Sequence, residues 1–199
     1  MNPINATGPA TRNKAPIFEH LLPLLRGADR VLEIGAGDGT HARHATDCLP
    51  DVHWQPSEHP ARFDLLQTGL VGCTGVTAPI QLDVTGPWPS GPFAAVYAAN
   101  VAHIMSWPAV RAFIAGSARV LADNGWLCLY GPFFDTTLAT VASNIEFDRR
   151  LRLNDPAMGL RRVQAIDELA QANGLRRTHD WSMPANNRLL VWQKRLHAD

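Results

Sequence analysis

The sequence predicts an α/β protein with helices on both faces of a mostly parallel sheet, and three observations carry that prediction. Apolar runs of strand length alternate with helical patterns along most of the 199 residues. The first run, Arg30 to Ile34, opens into Gly35-Ala36-Gly37-Asp38-Gly39 and then a helical pattern, the signature of strand, tight turn and helix. The chain closes on two runs, about Arg176 to Ser182 and Arg188 to Gln193, joined by Met183-Pro184-Ala185-Asn186-Asn187. That spacing predicts a hairpin, and so one antiparallel strand near a sheet edge.

In chain order, Met1 to Thr11 is rich in Pro, Asn, Gly and Thr and is expected as loop. Ile17, Leu21, Leu22, Leu24 and Leu25 recur at helical spacing, predicting a helix over Asn13 to Leu25 with Pro16 in its tolerant first turns. Residues 1–25 are therefore a loop and helix, and a candidate lid at the sheet edge. Strand one is Arg30 to Ile34, followed by a helix from about Thr40 to Cys48. Val52 to Gln55 reads as strand two, Ala61 to Leu70 as a helix, and Ile80 to Val84 as strand three. After the Pro- and Gly-rich Thr85 to Pro92 come a fourth strand, Phe93 to Ala98, and a helix from about Pro108 to Leu121. Asp123-Asn124-Gly125 should stop that helix before a fifth strand, Trp126 to Tyr130. Ile145 to Leu153 reads as an inserted helix and Gln164 to Ala172 as the last regular one.

Composition narrows the partners. The length predicts one domain, residues 1–199. Eighteen basic and eighteen acidic residues cancel, and without a Lys or Arg run no nucleic acid or anionic membrane is expected as a partner. Cys48, Cys73 and Cys128 are scattered, which argues against disulfides and a zinc site. With no signal-like or membrane-spanning run the expectation is a cytoplasmic protein, monomer or homodimer.

The glycine turn points to a ligand with a nucleotide part, because glycine lets a ligand lie against the backbone. A dinucleotide fingerprint requires a third glycine at position 40, where Thr40 stands. Glu33, two residues ahead of Gly35, would repel a pyrophosphate and attract an ammonium. S-adenosylmethionine (SAM) carries an ammonium and no phosphate. The run Glu33-x-Gly35-x-Gly37-x-Gly39 resembles motif I of class I SAM-dependent methyltransferases. The resemblance implies that the acidic residue serves the methionine end and that the three glycines pass under the cofactor. Glu58, about twenty residues further on, is placed to accept from ribose hydroxyls; a helix cap or loop charge is the alternative. Asp83, with Val84 beside it, matches the position from which an Asp of this class accepts from the adenine amino group. Asn100 follows strand four at the ligand side of the sheet and could bond cofactor or substrate, or simply form the turn.

The resemblance extends along nearly the whole chain. Arg12-Asn13-Lys14-x-Pro16-Ile17, Trp54-Gln55-Pro56-Ser57, Leu82-Asp83-Val84, Asn100-x-x-His103-Ile104-Met105-Ser106-Trp107, Tyr130-Gly131-Pro132-Phe133, Ser143-Asn144-x-x-Phe147-Asp148 and Met183 to Asn187 are similar to the family called domain of unknown function 938. That family includes the animal proteins called methyltransferase-like 26. Membership implies the Rossmann-like class I methyltransferase fold, a seven-stranded mostly parallel sheet in the order 3-2-1-4-5-7-6. It implies SAM as cofactor and S-adenosylhomocysteine (SAH) as product, and names no substrate. Relatives usually carry Asp where Glu58 stands, a change that keeps the ribose contact with a longer reach.

Methyl transfer from a sulfonium needs alignment, exclusion of water and, for a protonated nucleophile, a base, but no metal. His103 is the candidate general base, with a structural role in the strand-four loop as the alternative. Arg12, Asn13, Lys14, Tyr130, Asn144, Arg149, Arg152, Arg161, Asn186 and Asn187 are candidates for the substrate pocket. Several arginines in one insert hint at an anionic small molecule. His41 and His44 lack a third metal ligand. Trp88 and Trp107 could wall the adenine or the substrate. Ala98-Ala99-Asn100-Val101 lacks the Asn/Asp-Pro-Pro-aromatic run of base-methylating enzymes, and no Gly-x-Ser-x-Gly or P-loop occurs. The expected function is methyl transfer to an O, N or S nucleophile of a small molecule. A non-catalytic SAM-binding module acting through a protein partner, and a protein or peptide methyltransferase, are the rivals.

Overall fold

The computed structural model describes residues 8–138 and 140–195. The elements run α1 (Pro9–Leu25), β1 (Arg30–Ile34), α2 (Thr40–Cys48), β2 (His53–Glu58), a 3-10 turn Pro60–Arg62, α3 (Phe63–Gly69), β3 (Ile80–Gln81), β4 (Phe93–Ala99), α4 (Trp107–Val120) and β5 (Leu121–Gly131). They continue with β6 (Phe133–Phe134), α5 (Ala142–Asn154), β7 (Arg161–Arg162), α6 (Val163–Ala172), β8 (Leu175–Met183), a 3-10 turn Pro184–Asn186 and β9 (Asn187–Lys194). Seven strands make one sheet in the order β3-β2-β1-β4-β5-β9-β8, with β6 and β7 paired separately. Counting only the strands of the large sheet, this is the expected 3-2-1-4-5-7-6. Within this sheet β9 alone runs against the other strands, pairing antiparallel with both β5 and β8.

Side chains alternate across each strand, so two cores form, one on each face. Leu32, Val96 and Leu127 pack with Val110, Phe113, Ile114 and Ile166 of α4 and α6. Val31, Ala95, Tyr97 and Cys128 pack with Ile17, Phe18, Leu21 and Ala42 of α1 and α2, and with Trp54. Glu33 falls on the second face because it is two residues from Val31, and this sets its surroundings.

Several boundaries differ from the sequence reading for local reasons. Of the loop expected over Met1 to Thr11, residues 1–7 lie outside the described residues; the helix begins at Pro9, whose ring presets a helical φ after the Gly8 cap. Pro16 and Pro23 are therefore interior, and the helix offsets their missing donors by burying Ile17, Phe18, Leu21 and Leu25. Strand two extends through Pro56 to Glu58: the proline lacks a donor, but the Ser57 hydroxyl donates to the Glu33 carbonyl at 2.6 Å. Strand three is only two residues long, because the Thr85 amide and hydroxyl both donate to Asp83 Oδ1, at 2.9 and 2.7 Å, and turn the chain away. Strand five starts at Leu121 and carries the Asp123-Asn124-Gly125 stretch as an irregularity, with Asn124 at φ 59°. No helix among the described residues is long and apolar enough to cross a membrane.

Candidate functional site

Strands β1, β2 and β4 end together at one side of the sheet, beside the turn that ends β3, and there the structure has two adjoining hollows. The first, about 700 Å³, lies over Gly35-Ala36-Gly37-Asp38. Its walls are Glu58 and His59 after β2, Leu82 to Thr85, Asn100 and Val101 after β4, Ile104 and Met105, and the start of α1 at Pro9 and Ala10. The second, about 520 Å³, is lined by Arg12 and Asn13 of α1, His103, Tyr130, Ser143, Asn144 and Phe147 of α5, and Pro184, Ala185 and Asn187 of the closing hairpin. Pro9 and Asn100 border both. Asn100 holds φ 60°, a left-handed backbone that Asn tolerates better than most residues, and its amide donates to the Tyr130 carbonyl at 2.8 Å.

The glycines do different work. Gly37, at φ 61°, would point a Cβ into open space, on the floor of the first hollow. A Cβ at Gly35 would lie 2.4 Å from Val101, and one at Gly39, which caps α2 outside the hollow, 2.5 Å from Leu70. So Gly35 and Gly39 are needed by the protein's own packing, and Gly37 keeps the floor bare.

Of the three carboxylates expected to share one site, two do. Glu58 takes the Gly37 amide at 2.7 Å and the His59 amide at 2.9 Å, one on each oxygen, which fixes it on the wall. Asp83 is half-exposed, and its carboxyl is held below the usual range by the Thr85 amide and hydroxyl, leaving Oδ2 3.7 Å from His59 Nε2. Glu33 is a correction: it does not line the hollow. The strand's alternation turns it to the α1–α2 face, where it accepts from the Trp54 indole at 2.7 Å and lies 3.8 Å from His41 Nδ1. Burial pushes its pKa up to about 8, against the pull of the indole bond. His41 stands between Glu33 and the hollow; its Nε2 meets Asn13 Oδ1 at 2.8 Å and its Nδ1 the Tyr97 hydroxyl at 3.3 Å. Burial lowers His41 to about 4.

On the second hollow, His103 is 7% exposed, and its ring nitrogens have no hydrogen-bond partner among the described residues. Burial, with Arg161 nearby, lowers it to about 4, and Phe147 packs edge-on at 5.2 Å. Tyr130 is raised by burial, against the opposing pull of the Asn13 and Asn187 side chains. Asn186 stands just behind, bonding Ser143 at 3.2 Å and Asn144 at 3.4 Å.

Other expected substrate residues are elsewhere. Arg149 pairs with Glu146 at 2.9 Å and Arg152 with Asp148 at 2.8 Å, each along α5, so neither arginine lines a hollow. Helical spacing places each acid within reach of its own arginine. Lys14 is half-buried near His41 and His44 and lines neither hollow. Trp88 packs against Gly116 and bonds the Val84 carbonyl at 3.0 Å, and Trp107 covers Arg161, so neither walls a ligand site. Among the described residues no group of three His, Cys, Asp or Glu could hold a metal. Sequence reasoning missed Arg161 as an anchor. It is buried and donates to the carbonyls of Ala102 at 3.1 Å, Ala157 at 3.0 Å, and Met105. No local pattern marks a residue whose acceptors lie 56 and 59 positions away.

The chain is similar to several solved structures. One is an O-methyltransferase family protein from Burkholderia thailandensis, with TM-score 0.82 and 16% identity over 95% of this chain and 58% of that one. Another is human N-acetylserotonin methyltransferase in complex with SAM, with TM-score 0.79 and 12% identity over 94% of this chain and 52% of that one. A third is an O-methyltransferase family 2 protein from Planctomyces limnophilus in complex with apigenin, with TM-score 0.79 and 16% identity over 95% and 59%. This chain spans a little over half the length of each, and the likeness establishes the fold, that of class I SAM-dependent methyltransferases. The family profile described as "Protein of unknown function (DUF938)" matches residues 5–194, nearly the whole chain, and the protein belongs to that family.

Proposed function

We propose that the protein is a SAM-dependent methyltransferase that modifies a small molecule, with the first hollow for cofactor and the second for acceptor. One observation carries this: two hollows meet at Asn100, and one of them has a bare glycine floor with carboxylates on its wall. The residues fit SAM. Gly35 to Gly37 leave backbone for it to lie on, Glu58 keeps lone pairs for ribose hydroxyls, and Asp83 Oδ2 with neighbouring Val84 suits the adenine amino group. Asp38, Glu58 and Asp83 together favour a cation. SAM when bound supplies an electrophilic methyl group on a sulfonium.

The protein's own part is to seat the acceptor beside that methyl group and keep water out. Asn100 borders both ligands, while Asn13, Tyr130, Asn144 and Asn187 present hydrogen-bonding groups to the acceptor. Oxygen is the favoured acceptor atom because the similar structures include O-methyltransferases. A SAM-binding module without catalysis has no use for the second hollow.

Calorimetric titration with SAM, SAH and NAD tests the reading. SAM and SAH should bind and NAD should not. Asp83→Ala should weaken SAM by about 1 kcal/mol, a modest loss because the carboxylate is half-exposed. Binding of NAD with no affinity for SAM would overturn the proposal.

A further inference from the structure

We infer that the acceptor is a small carboxylic acid, methylated on its already ionised carboxylate oxygen to give a methyl ester, with His103 as a hydrogen-bond donor to it rather than its base. The inference rests on the proposed reading of the two hollows. Its first support is how charge divides between them. Asp38, Glu58 and Asp83 line the first hollow against one arginine, Arg62, and no Asp or Glu is among the described residues lining the second. The second is lined instead by amides and hydroxyls and by Arg12.

A further cation stands behind the loop that carries His103. Arg161 is buried and bonded only to carbonyl oxygens among the described residues. Asp148, the nearby acid, is already bonded to Arg152 and to the Leu160 amide at 2.7 Å. The Arg161 charge, in ion-pair contact with no carboxylate among the described residues, acts on His103, which lines the second hollow, and helps hold it unprotonated. That field favours an anion.

The chemistry of His103 agrees. A general base is most effective with a pKa near the working pH, and an imidazole lowered to about 4 is a poor acceptor for a hydroxyl proton. A neutral imidazole still has one N–H to donate, and among the described residues no protein group accepts it. A carboxylate needs no base, since it is ionised well below neutrality. In the transfer a carboxylate oxygen forms the bond to the methyl carbon as the carbon–sulfur bond breaks, the electron pair goes to sulfur, and no proton moves. The products are a methyl ester and SAH.

The test uses acetate, the simplest carboxylate, on the full protein at pH 7.5, with and without SAH. His103 is followed by the NMR signal of its ring Cε1–H, assigned with His103→Gln. Sodium acetate should shift that signal saturably, while acetamide and sodium chloride at equal ionic strength should leave it in place. Asn144→Leu should weaken the acetate response several-fold. An acetamide response equal to that of acetate, an equal response to chloride, or no saturable response to acetate would overturn the inference. Failure of SAH to bind would instead remove the cofactor reading, and the acetate titration without SAH would still be legible. In turnover with labelled SAM and short carboxylic acids, the label should leave the product as methanol under mild alkali. Label that is stable to alkali would overturn the ester assignment.

Discussion

At the scale of single residues, the site depends on what is withheld as much as on what is supplied. Gly37 has neither a side chain nor a neighbour where one would go, so its role is to leave room. Gly37→Val should place two methyl groups in the first hollow and strain a backbone at φ 61°, with an expected cost of about 1–3 kcal/mol in stability. SAM affinity should fall by about 100-fold or more, read by calorimetry alongside a melting curve showing that the variant still folds. Unchanged affinity would show that the cofactor does not lie on this turn. Glu33 shows the limit of reading residues by type. Its place two positions before the glycines suggested direct contact with an ammonium, but the β1 pleat directs it under His41, to the indole of Trp54.

Among the elements, α1 and α5 are the two that close over the sheet's ligand edge, and they are held very differently. The first buries Ile17, Phe18, Leu21 and Leu25, and is tied to the motif I turn through Asn13 and His41. α5 buries only Asn144 along its length, with Ile145 and Leu153 exposed, whereas α4 buries seven residues including Phe113 and Ile114. With so little apolar burial α5 is expected to open locally at low cost. Its amides should exchange with solvent about tenfold faster or more than those of α4, measured by hydrogen exchange with mass spectrometry. Equal protection would mean that α5 is a fixed wall. The boundaries of both helices were only roughly legible: Pro9 extends α1 by presetting its first turn, and α5 has no apolar stripe to mark its ends.

For the molecule as a whole, three buried titratable groups shape stability against pH. Glu33 has a folded pKa of about 8 against an ordinary 4.5, so between those values the folded protein keeps a proton that the unfolded chain has lost. Stability from this group falls as pH rises through that window and levels off above it. His41 and His103, at about 4 against 6.5, act oppositely. The unfolded chain binds their protons first, so stability rises with pH from 4 to 6.5 and is then flat. Above pH 6.5 the Glu33 slope is therefore left alone of the three. Between pH 6.5 and 8 it should remove on the order of 2 kcal/mol, or roughly 5 °C of melting temperature. Glu33→Gln, which can still accept from Trp54, should abolish that decline. A variant whose melting temperature falls in parallel with the wild type would exclude Glu33 as its source.

Fold and site were not equally legible. Alternating runs, the glycine turn and the closing hairpin are periodic or local signals, and they located all seven strands of the main sheet. Strand order came from family resemblance, because spacing does not say which strands are neighbours. Glu58 and Asp83 could be placed because one ends a strand and the other follows one on the ligand side, where position along the chain translates into position in space. Arg149 and Arg152 were read by charge alone, although Glu146 and Asp148, three and four positions before them on the predicted helix, were a legible sign that each would be paired along it. Arg161 was hardest, since two of its acceptors, Ala102 and Met105, lie in one distant segment that meets it only after folding.

Asn100 borders both hollows at once, so on the proposed reading cofactor and acceptor share a wall through which their occupancies can be thermodynamically linked. Whatever factor the acceptor adds to cofactor affinity, the cofactor must add to acceptor affinity, around a closed cycle. Measuring either factor gives the other, and an Asn100 substitution that alters one must alter its counterpart equally.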